Sequence, residues 1–502
     1  MFNINKLRQK FSRADILVWF IVTVFSIIYA FMSVYKHDSF QTYGWDLAIF
    51  DHGIWQWSQF RIPYSPFHDL PWLADHFHLI LITIAPLYWI WSNVRVLLII
   101  QGILVSIGAL PLYYLSKKVT GNNLFSFTIV LGYLLFYSLQ SFIFSDFHEL
   151  AFLPITLGGV LLFWELRKPF LYWTFFILSL LVKEEIGLLL AAFGLWVFIR
   201  SKNQRKQAIT FVVLGFAYTF IMVSFIMPFI GGQPYRHSGF GQSGQTLTDV
   251  LLNILRNPFY LIHSFTDSPV KINTIWITFW SWGFLPLFSP ASLMLILEQL
   301  ASRFLDYGKP IRWTLTFAYS LPMATIMGWG SIYGFNNLIK VLQKFTRRSK
   351  YKLGLWISLF LLVIVIGSNF LLHGPINSIF KPQFYFKEKW VDDNLSVLKC
   401  IPQKTSVSAQ NSLAPWLSQR NEIKVFPKGI GFEYIILDLH PGQSENAFHF
   451  LGSKNTKVVM DDLIKKGYYE SICQAGSAVA LKRKVNPPYD LDYPFEINIE
   501  EK

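Results

Sequence analysis

The sequence is short of charged residues and of cysteine. Only 15% of its 502 residues are charged, against roughly 25% in a soluble globular protein. This shortage excludes a disordered chain and an ordinary cytosolic enzyme. The two cysteines, Cys400 and Cys473, form neither a CxxC motif nor a Cys/His zinc pattern, which excludes a disulfide scaffold and a structural zinc site. A single disulfide between them and two unpaired thiols both stay open.

Motifs of soluble enzymes and nucleic-acid-binding proteins are also lacking. The chain has no Walker loop, Rossmann fingerprint, HExxH or Gly-x-Ser-x-Gly elbow, so ATP hydrolysis and serine-hydrolase chemistry have no support. No basic run is interleaved with aromatic residues outside the apolar segments, so the net charge of +14 does not indicate nucleic acid as a partner. Basic residues that collect in cytoplasmic loops of a membrane protein explain this charge better.

Long apolar runs are what the sequence has in abundance. Hydrophobic residues make up 53% of the chain, and the mean hydropathy is +0.38. Runs long enough, or nearly long enough, to cross a bilayer extend from Ile16 to about Leu372. We place eleven spans, at 15–35, 96–116, 124–144, 150–166, 170–183, 185–199, 208–230, 273–289, 291–305, 314–338 and 353–373. The sequence therefore predicts a polytopic α-helical membrane protein with about eleven spans.

Basic residues in the short loops predict the orientation. They lie at Lys6, Arg8, Lys10 and Arg13, at Lys117 and Lys118, at Arg167 and Lys168, at Arg200, Lys202, Arg205 and Lys206, and between Lys340 and Lys352. The first cluster precedes the first span and predicts a cytoplasmic N-terminus. All clusters share the cytoplasmic side only if residues 79–91 do not cross, so we interpret that segment as lying along the outer face or re-entering.

The composition changes near residue 380. Residues 1–380 would form the membrane domain, with an outer loop at 36–95 that holds five of the eleven histidines. Residues 381–502 have the composition of a small soluble domain. Strand patterns lie at 406–409, 434–439 and 478–481, and helical patterns lie at 413–419 and 458–466. We predict a small extracytoplasmic α/β domain here, because it follows the last span.

Two carboxylates in the outer loop are the first candidates for chemistry. Asp46 and Asp51 lie in the stretch Tyr43–Trp55, which is typical of a helix on the membrane surface. Five residues of helix separate them by about 140°, so both cannot face one site. We favour Asp46 as a proton acceptor or cation ligand. The alternative is that one carboxylate caps a helix while the other is solvated.

Two further motifs combine histidine with carboxylates. They are Asp75-His76-Phe77-His78 and, at the end of the third predicted span, Asp146-Phe147-His148-Glu149. Such side chains are competent ligands for zinc or manganese. The predicted topology places them on the same membrane face as Asp46, which indicates one shared site. The predicted metal ligands are Asp46, His78, Asp146 and His148. A hydrogen-bond network without catalysis is the alternative.

Basic residues on the outer side are candidates for binding an anionic lipid. Lys183 begins the run Lys183-Glu184-Glu185, and Arg303 lies in a later segment with Lys309 and Arg312. Cations outside the cytoplasm oppose the usual charge bias, and a lipid phosphate would explain them. Pairing of Lys183 with a neighbouring glutamate is the alternative.

The order of these features resembles a known membrane family. The chain is similar, over nearly its whole length, to the DUF 2079 family of polytopic membrane proteins. It more distantly resembles the GT-C superfamily of glycosyltransferases that use polyprenyl-phosphate sugars. The stretches that carry the resemblance are Trp45–Trp55, His76–Tyr88, Phe147–Glu149, Lys183–Glu185 and Ser406–Asn411.

The resemblance implies roles for individual residues. Asp46 matches the first-loop Asp that acts as a base or metal ligand in GT-C enzymes, and His76 matches the His that opens the juxtamembrane helix. Asp146 or Glu149 matches the second acidic position. The sequence departs from the mannosyltransferase pattern at His76-Phe77-His78, where His-Pro-Pro is typical, and it lacks an adjacent Asp-Glu pair in the first loop.

The sequence thus predicts a glycosyltransferase in a bacterial or archaeal cytoplasmic membrane. It would move a sugar from a polyprenyl-phosphate carrier to an extracytoplasmic acceptor, with a divalent cation as an open requirement. The predicted catalytic residues are Asp46, His76 and Glu149, and the predicted substrate-binding residues are Lys183, Glu184 and Arg303. A transporter or lipid-handling protein without catalysis is the main alternative, although its charges would be expected along the spans rather than at their outer ends. A non-catalytic scaffold is the third.

Overall fold

Helices make up most of the computed structural model, which describes residues 12–237 and 240–488. The basic residues Lys6, Arg8 and Lys10 lie outside the described residues. The α-helices are α1 (Arg13–Asp38), α2 (Ile49–Ser58), α3 (Trp72–Asp75), α4 (Arg95–Ile107), α5 (Ala109–Thr120), α6 (Asn123–Leu134), α7 (Tyr137–Phe144), α8 (Leu153–Glu165), α9 (Pro169–Leu180), α10 (Ile186–Arg200), α11 (Arg205–Ile221), α12 (Met227–Gly231), α13 (Leu247–Arg256), α14 (Pro258–His263), α15 (Pro269–Trp280), α16 (Leu293–Phe304), α17 (Leu321–Phe345), α18 (Lys350–Leu371), α19 (Lys389–Leu398) and α20 (Gly452–Lys465). The strands are β1 (Tyr64–Ser65), β2 (Leu70–Pro71), β3 (Val407–Ala409), β4 (Ile423–Val425), β5 (Tyr434–Asp438), β6 (Tyr469–Ala475) and β7 (Ala478–Arg483).

The first helix shows how local sequence and packing fix an element. Ser12 Oγ accepts a hydrogen bond from the backbone of Asp15, whose carboxylate accepts one from the backbone of Ser12, and this capping box starts α1. Gly102 on α4 lets the two helices approach closely, since a Cβ there would lie 2.5 Å from the backbone nitrogen of Ala30. The Asp15 carboxylate also accepts from Lys117 Nζ at 2.6 Å, which ties the start of α1 to the end of α5.

Four helical segments are long and apolar enough to cross a membrane. They are Arg13–Asp38, Arg95–Thr120, Lys202–Gly231 and Lys350–Leu371, and α6 with α7 would make a fifth across a 41° bend. The structure therefore does not confirm eleven spans. Several predicted spans are short helices, such as α9 with 12 residues. A helix of that length rises roughly 18 Å, less than the hydrocarbon core of a bilayer.

The segment that we predicted to lie along the membrane face is a pair of short 3₁₀ helices, Leu79–Thr83 and Ala85–Trp89. The backbone nitrogen of Ile80 donates to the carbonyl of Leu181 at 2.9 Å, which holds the segment against the end of α9. Ile90, just beyond it, is exposed.

A five-stranded sheet lies in the C-terminal part, in the order β4-β3-β5-β7-β6. Strand β3 pairs in parallel with β4 and β5, while β7 pairs antiparallel with β5 and β6. The predicted strands correspond to β3, β5 and β7, and the second predicted helix corresponds to α20. The first predicted helix is only a 3₁₀ turn at Ala414–Trp416. The sequence did not reveal β4, which has three residues, or the largely exposed edge strand β6.

Cys400 and Cys473 form a disulfide, which joins the turn after α19 to β6. The structure thus selects one of the two alternatives left open for the cysteines. The division of the chain at residue 380 into two domains stays a prediction.

Candidate functional site

The helix that carries Asp46 begins with a π-helical turn, Gly44–Ala48, which continues directly into α2. Its first backbone N–H groups have no partners inside the helix, so they need acceptors from elsewhere. Tyr43 N donates to Asp146 Oδ2 at 2.7 Å, Gly44 N to the Asn411 carbonyl at 2.8 Å, and Trp45 N to Asn411 Oδ1 at 3.2 Å. Two distant parts of the chain therefore cap the helix.

Glycine is required at the start of this helix. A Cβ on Gly44 would lie 2.8 Å from the Cβ of Ala414 and 3.0 Å from Asn411 Oδ1. The C-terminal segment that supplies the cap therefore packs directly on the backbone, two residues before Asp46.

Asp46 itself is half-exposed and free to meet a ligand. Its Oδ1 lies 3.8 Å from His148 Nε2. His148 is fixed by its backbone nitrogen, which donates to Gln101 Oε1 at 3.0 Å. The structure thus brings Asp46 close to the 146–149 motif. The shared catalytic site stays a prediction.

Asp51 faces a different environment, in agreement with the helical angle between the two carboxylates. Its carboxylate accepts hydrogen bonds from the hydroxyls of Tyr88 and Ser418, each at 2.5 Å, and from Gln419 Nε2 at 3.2 Å. Burial raises the pKa of Asp51 to about 6, and the three hydrogen bonds oppose that rise. Asp51 ties α2 to the C-terminal part of the chain.

Asp146 has both carboxylate oxygens engaged. Oδ1 lies 3.1 Å from Lys36 Nζ, and Oδ2 accepts from the backbone of Tyr43. Asp146 is buried, and its contacts orient the Asp46 helix from the end of α1. Its role as a metal ligand stays a prediction.

Glu149 and Lys183 form a buried ion pair. Glu149 Oε1 is 3.0 Å from Lys183 Nζ, and both side chains are almost fully buried. Burial alone would raise the pKa of Glu149, but Lys183 and nearby histidines, His148 first, lower it to about 2. Glu149 is therefore ionised at neutral pH and acts as a counter-charge rather than as a proton donor.

Glu184 holds His76 in place. The carboxylate lies 2.7 Å from His76 Nδ1, and it accepts from the backbone of Phe77 at 3.0 Å and from the Tyr235 hydroxyl at 2.7 Å. Burial and the charge of Lys183 lower the pKa of His76, but Glu184 outweighs both, so the net shift is upward. A bond from Nδ1 to a carboxylate also fixes the orientation of the ring.

His78 is separated from the other predicted metal ligands by its packing. Its ring centre lies 4.3 Å from that of Trp72 and 5.6 Å from that of Phe50. Burial lowers the pKa of His78 to about 4, so the ring is neutral at physiological pH.

A different trio has the composition of a metal site. Asp75, His76 and His237 offer ligand atoms that all lie within 4.8 Å of one another, and a carboxylate with two imidazoles suits zinc or manganese. His237 is already engaged, because its Nε2 lies 3.0 Å from Asp75 Oδ1 and its Nδ1 lies 3.0 Å from Lys309 Nζ. These three donors therefore suit a cation if His237 gives up one of its hydrogen bonds in order to bind it.

His76 and His237 border a cavity of about 540 Å³. Its polar lining includes His76, Lys183, Glu184, Lys309, Arg312 and Tyr319, and its apolar lining includes Leu188, Phe220, Val223, Pro228 and Pro234. Three residues of the apolar wall, Phe220, Val223 and Pro228, belong to the segment Lys202–Gly231, whose most apolar 18 residues are only 17% buried. One end of the cavity is therefore charged, and its apolar wall borders a helical segment whose side chains are largely exposed.

Arg312 lines this cavity, whereas Arg303 supports it from behind. Arg303 Nε donates to the Arg312 carbonyl at 2.7 Å, and its Nη2 donates to the Thr314 carbonyl. Arg312 pairs with Glu185 at 3.1 Å and with Asp306 at 3.0 Å, while its buried Nε has no hydrogen-bond partner within the described residues. Direct substrate binding by Arg303 stays a prediction.

Tyr319 lines the cavity, and we assigned no role to it from the sequence. Its ring centre is 5.8 Å from Lys183 Nζ and 4.8 Å from the Arg312 guanidinium carbon. Burial raises the pKa of Tyr319, the two cations oppose the rise, and the charge of Asp46 adds to it. Asp46 is therefore close enough to act electrostatically on the same ring as the cavity's cations.

His237 and Tyr235 were also missed. Both lie in a loop of glycine, serine and glutamine that is typical of a flexible linker. A tyrosine and a histidine within such a loop are a weak signal of a site, and they could have drawn attention to it.

Comparisons with known proteins agree with this picture. A family model described as "Predicted membrane protein (DUF2079)" matches residues 36–471. No curated protein matches the chain. The solved structure of ArnT from Cupriavidus metallidurans bound to undecaprenyl phosphate is similar, with a TM-score of 0.50 and 10% identity over 93% of this chain and 99% of that chain. The apo oligosaccharyltransferase of Archaeoglobus fulgidus has a TM-score of 0.43 and 12% identity, over 90% of this chain and 73% of that chain. The likeness to ArnT shows the fold, which is the GT-C architecture that the sequence resembles.

Proposed function

The chain belongs to the DUF2079 family of predicted membrane proteins, and from that premise and the geometry of the site we propose that it is a GT-C-type glycosyltransferase. It takes a sugar from a polyprenyl-phosphate carrier and transfers it to an acceptor outside the cytoplasm. The observation that carries this proposal is the cavity that joins Lys183 and Arg312 to an apolar wall.

The cavity suits a phosphate with a long hydrocarbon chain. Lys183, Lys309 and Arg312 provide positive charge at its polar end, and the guanidinium of Arg312 has the donor geometry that suits a phosphate. The apolar wall can take an isoprenoid chain that leaves the protein sideways. ArnT, which shares the fold, was solved with undecaprenyl phosphate bound, and this supports the same class of carrier here.

The transfer needs a base on one side of the sugar and positive charge on the other. Asp46 removes the proton from the acceptor hydroxyl as the oxygen attacks the anomeric carbon. The bond between that carbon and the phosphate oxygen breaks, and the phosphate leaves with the electron pair. Lys183 and Arg312 stabilise the charge that develops on the leaving phosphate. Glu149 keeps Lys183 charged, and Glu184 keeps His76 oriented.

A divalent cation would be held by Asp75, His76 and His237. It would supply further positive charge to the leaving phosphate. This assignment differs from the ligand set predicted from the sequence, because Asp146 is engaged by Lys36 and His78 is packed among aromatic rings.

The test is transfer of a labelled sugar in membranes that contain the protein, offered with a set of polyprenyl-phosphate sugars. Asp46→Asn keeps the size of the side chain and removes the base, so transfer should fall by roughly two to four orders of magnitude. Asp69→Asn is the matched control, because it removes a carboxylate from the same loop. Within the described residues, the ion pair of Asp69 is an exposed one with Lys424 at 3.0 Å. Equal losses in both variants would remove Asp46 from the mechanism. If wild-type protein releases sugar from none of the carriers, the transporter and scaffold alternatives take precedence.

A further inference from the structure

A second cavity lies between the outer loop and the C-terminal part, with a volume of about 1100 Å³. One wall comes from Arg61 and from residues 92–95, and the other comes from residues 403–406 and 415–422. It shares no lining residue with the cavity at Lys183 and Arg312, within the described parts of the chain.

Arg420 is a buried cation in the lining of this cavity, and its side chain is only 6% exposed. Its Nε donates to the carbonyl of Leu417 at 2.7 Å, and its Nη1 donates to those of Thr405 at 3.0 Å and Pro402 at 3.3 Å. Among residues 12–237 and 240–488 it forms no ion pair with a carboxylate. A buried charge without a counter-ion is costly, and an anionic ligand in the cavity would offset that cost.

The rest of the lining adds to the positive charge. Arg61, Arg95 and Lys404 accompany Arg420, against Asp51 and Glu422 as the acidic members. Arg95 is paired with Asp38 at 2.5 Å, so the added positive charge comes from Arg61 and Lys404. Asp51 is committed to Tyr88, Ser418 and Gln419. Arg61 makes a hydrogen bond of 3.0 Å to the neutral Asn421 side chain, so its charge is not neutralised by that contact.

An exposed apolar patch flanks the cavity. Phe60, Ile62 and Ile90 are 86%, 91% and 86% exposed, and Trp89 is 61% exposed. The rings of Phe60 and Trp89 lie 5.7 Å apart, so the two turns that carry the patch pack together. Arg61 stands between Phe60 and Ile62 in the sequence. Exposed aromatic and aliphatic side chains with neighbouring cations are typical of a surface that sits in the bilayer interface.

We infer that this second cavity binds a phosphate group carried by a membrane amphiphile. Arg420 lies at the base of the site, Arg61 and Lys404 lie at its rim, and the apolar patch holds the rim at the level of lipid headgroups. As a site for the sugar acceptor this inference rests on the proposed function, but binding of the phosphate does not.

The test uses the full-length protein in phosphatidylcholine nanodiscs that also contain phosphatidylglycerol, with retained lipids counted by native mass spectrometry. The test variant is Arg61→Gln with Lys404→Gln, since both side chains are exposed. The matched control is Lys389→Gln with Lys399→Gln, which removes the same charge from exposed positions that do not line the cavity. A parallel arm measures the thermal stabilisation of the detergent-solubilised protein by inorganic phosphate against chloride at equal ionic strength.

We expect the test variant to retain phosphatidylglycerol at least about tenfold more weakly than wild type, the scale of a lost charge-assisted hydrogen bond, while the control is unchanged. A loss confined to phosphatidylglycerol identifies a lipid phosphate, and a loss confined to inorganic phosphate identifies a soluble phosphate compound. Equal behaviour of the test variant and the control with both probes would overturn the inference. Neither probe carries a sugar, so failure here leaves the proposed transfer standing, and failure of transfer leaves this site standing.

Discussion

At the scale of single residues, the candidate site is built from charges that are buried in pairs. Lys183 lies against Glu149, and Glu184 lies against His76, in a place where an unpaired ion would be expensive. The pairs hold positive charge beside the cavity without leaving it uncompensated. Asp46 is the exception, because it is half-exposed and its Oδ1 lies 3.8 Å from His148 Nε2. A catalytic base must contact its substrate, whereas the buried ion pairs do not have to.

The Glu149–Lys183 pair gives a prediction on stability. Glu149→Gln leaves the Lys183 ammonium buried without a counter-charge, so the free energy of unfolding should fall by about 3–5 kcal/mol. Replacing both partners, with Glu149→Leu and Lys183→Met, should recover most of this loss, since no buried charge remains. Thermal unfolding in detergent measures both. The double variant should not transfer sugar, because it lacks the Lys183 ammonium that faces the phosphate. A double variant as unstable as the single one would contradict the pairing.

Asp51 gives a prediction on pH. Its pKa is raised to about 6 in the folded protein, while in the unfolded chain it returns to about 3.9. The folded state therefore binds the proton more tightly, so this group stabilises the fold at low pH, and its contribution disappears as pH rises from about 4 to 6. The change is worth about 3 kcal/mol. We expect the difference in unfolding free energy between wild type and Asp51→Asn to shift by this amount over that interval. A constant difference would show that Asp51 does not titrate there.

At the scale of elements, the short helix of Asp46 depends on a cap that comes from far away in the sequence. Asn411 is 366 residues from Trp45, whose backbone it accepts from. The other acceptor, Asp146, belongs to the motif after α7. A helix of this kind positions its carboxylate only when the C-terminal part is docked. The sheet is therefore part of the site, although it contributes no reacting group.

Substitution of the cap tests this dependence. Asn411→Ala removes the Oδ1 acceptor and should cost about 1 kcal/mol of stability. A small displacement of Asp46 should lower the transfer rate by roughly 10²-fold, which is more than the loss of stability explains. Asn411→Asp keeps an acceptor and should recover much of the rate. Asn455→Ala on α20 is the control, and transfer rates of the purified variants are the measurement. A rate for Asn411→Ala equal to that of the control would separate Asn411 from the site.

The same elements show how much of the fold and of the candidate site could be predicted from the sequence. The proximity of Asp46 and His148 was predictable, because the sequence predicts both at the outer ends of apolar segments and a membrane orders such ends into one layer. The strands β3, β5 and β7 were visible as short apolar runs. The cap by Asn411 and the approach of His237 to Asp75 were not predictable, since they depend on how distant segments pack. The eleven predicted spans overcounted the helices that are long enough to cross, because hydropathy does not show where a helix ends.

At the scale of the whole molecule, contacts tie residues 36–95 to the C-terminal part of the chain. They include the cap that Asn411 provides to the Asp46 helix and the hydrogen bond from Ser92 Oγ to Gln419 Oε1 at 2.7 Å. The Asp15–Lys117 pair and the Glu165–Arg200 pair mark the ends of other helices. The segment Arg95–Thr120 connects Ser92 to Lys117 through 26 residues of helix. At 1.5 Å per residue it rises roughly 39 Å, enough to cross the hydrocarbon core.

The last prediction follows from that span. The basic clusters predict that Lys117 and Lys118 lie in the cytoplasm, so we expect Ser92, at the other end of the helix pair, to face outward. Both Ser92 and Lys118 are exposed, and neither Ser92→Cys nor Lys118→Cys breaks the Asp15–Lys117 pair. In intact cells a membrane-impermeant maleimide should label Ser92→Cys and leave Lys118→Cys unlabelled until the cells are permeabilised. Wild-type protein is the control, because its two cysteines are joined in a disulfide. The opposite pattern would place the site, the sheet and Asp46 in the cytoplasm. A donor carried in the outer leaflet could then not reach them, and the proposed transfer would have to use a carrier on the inner face.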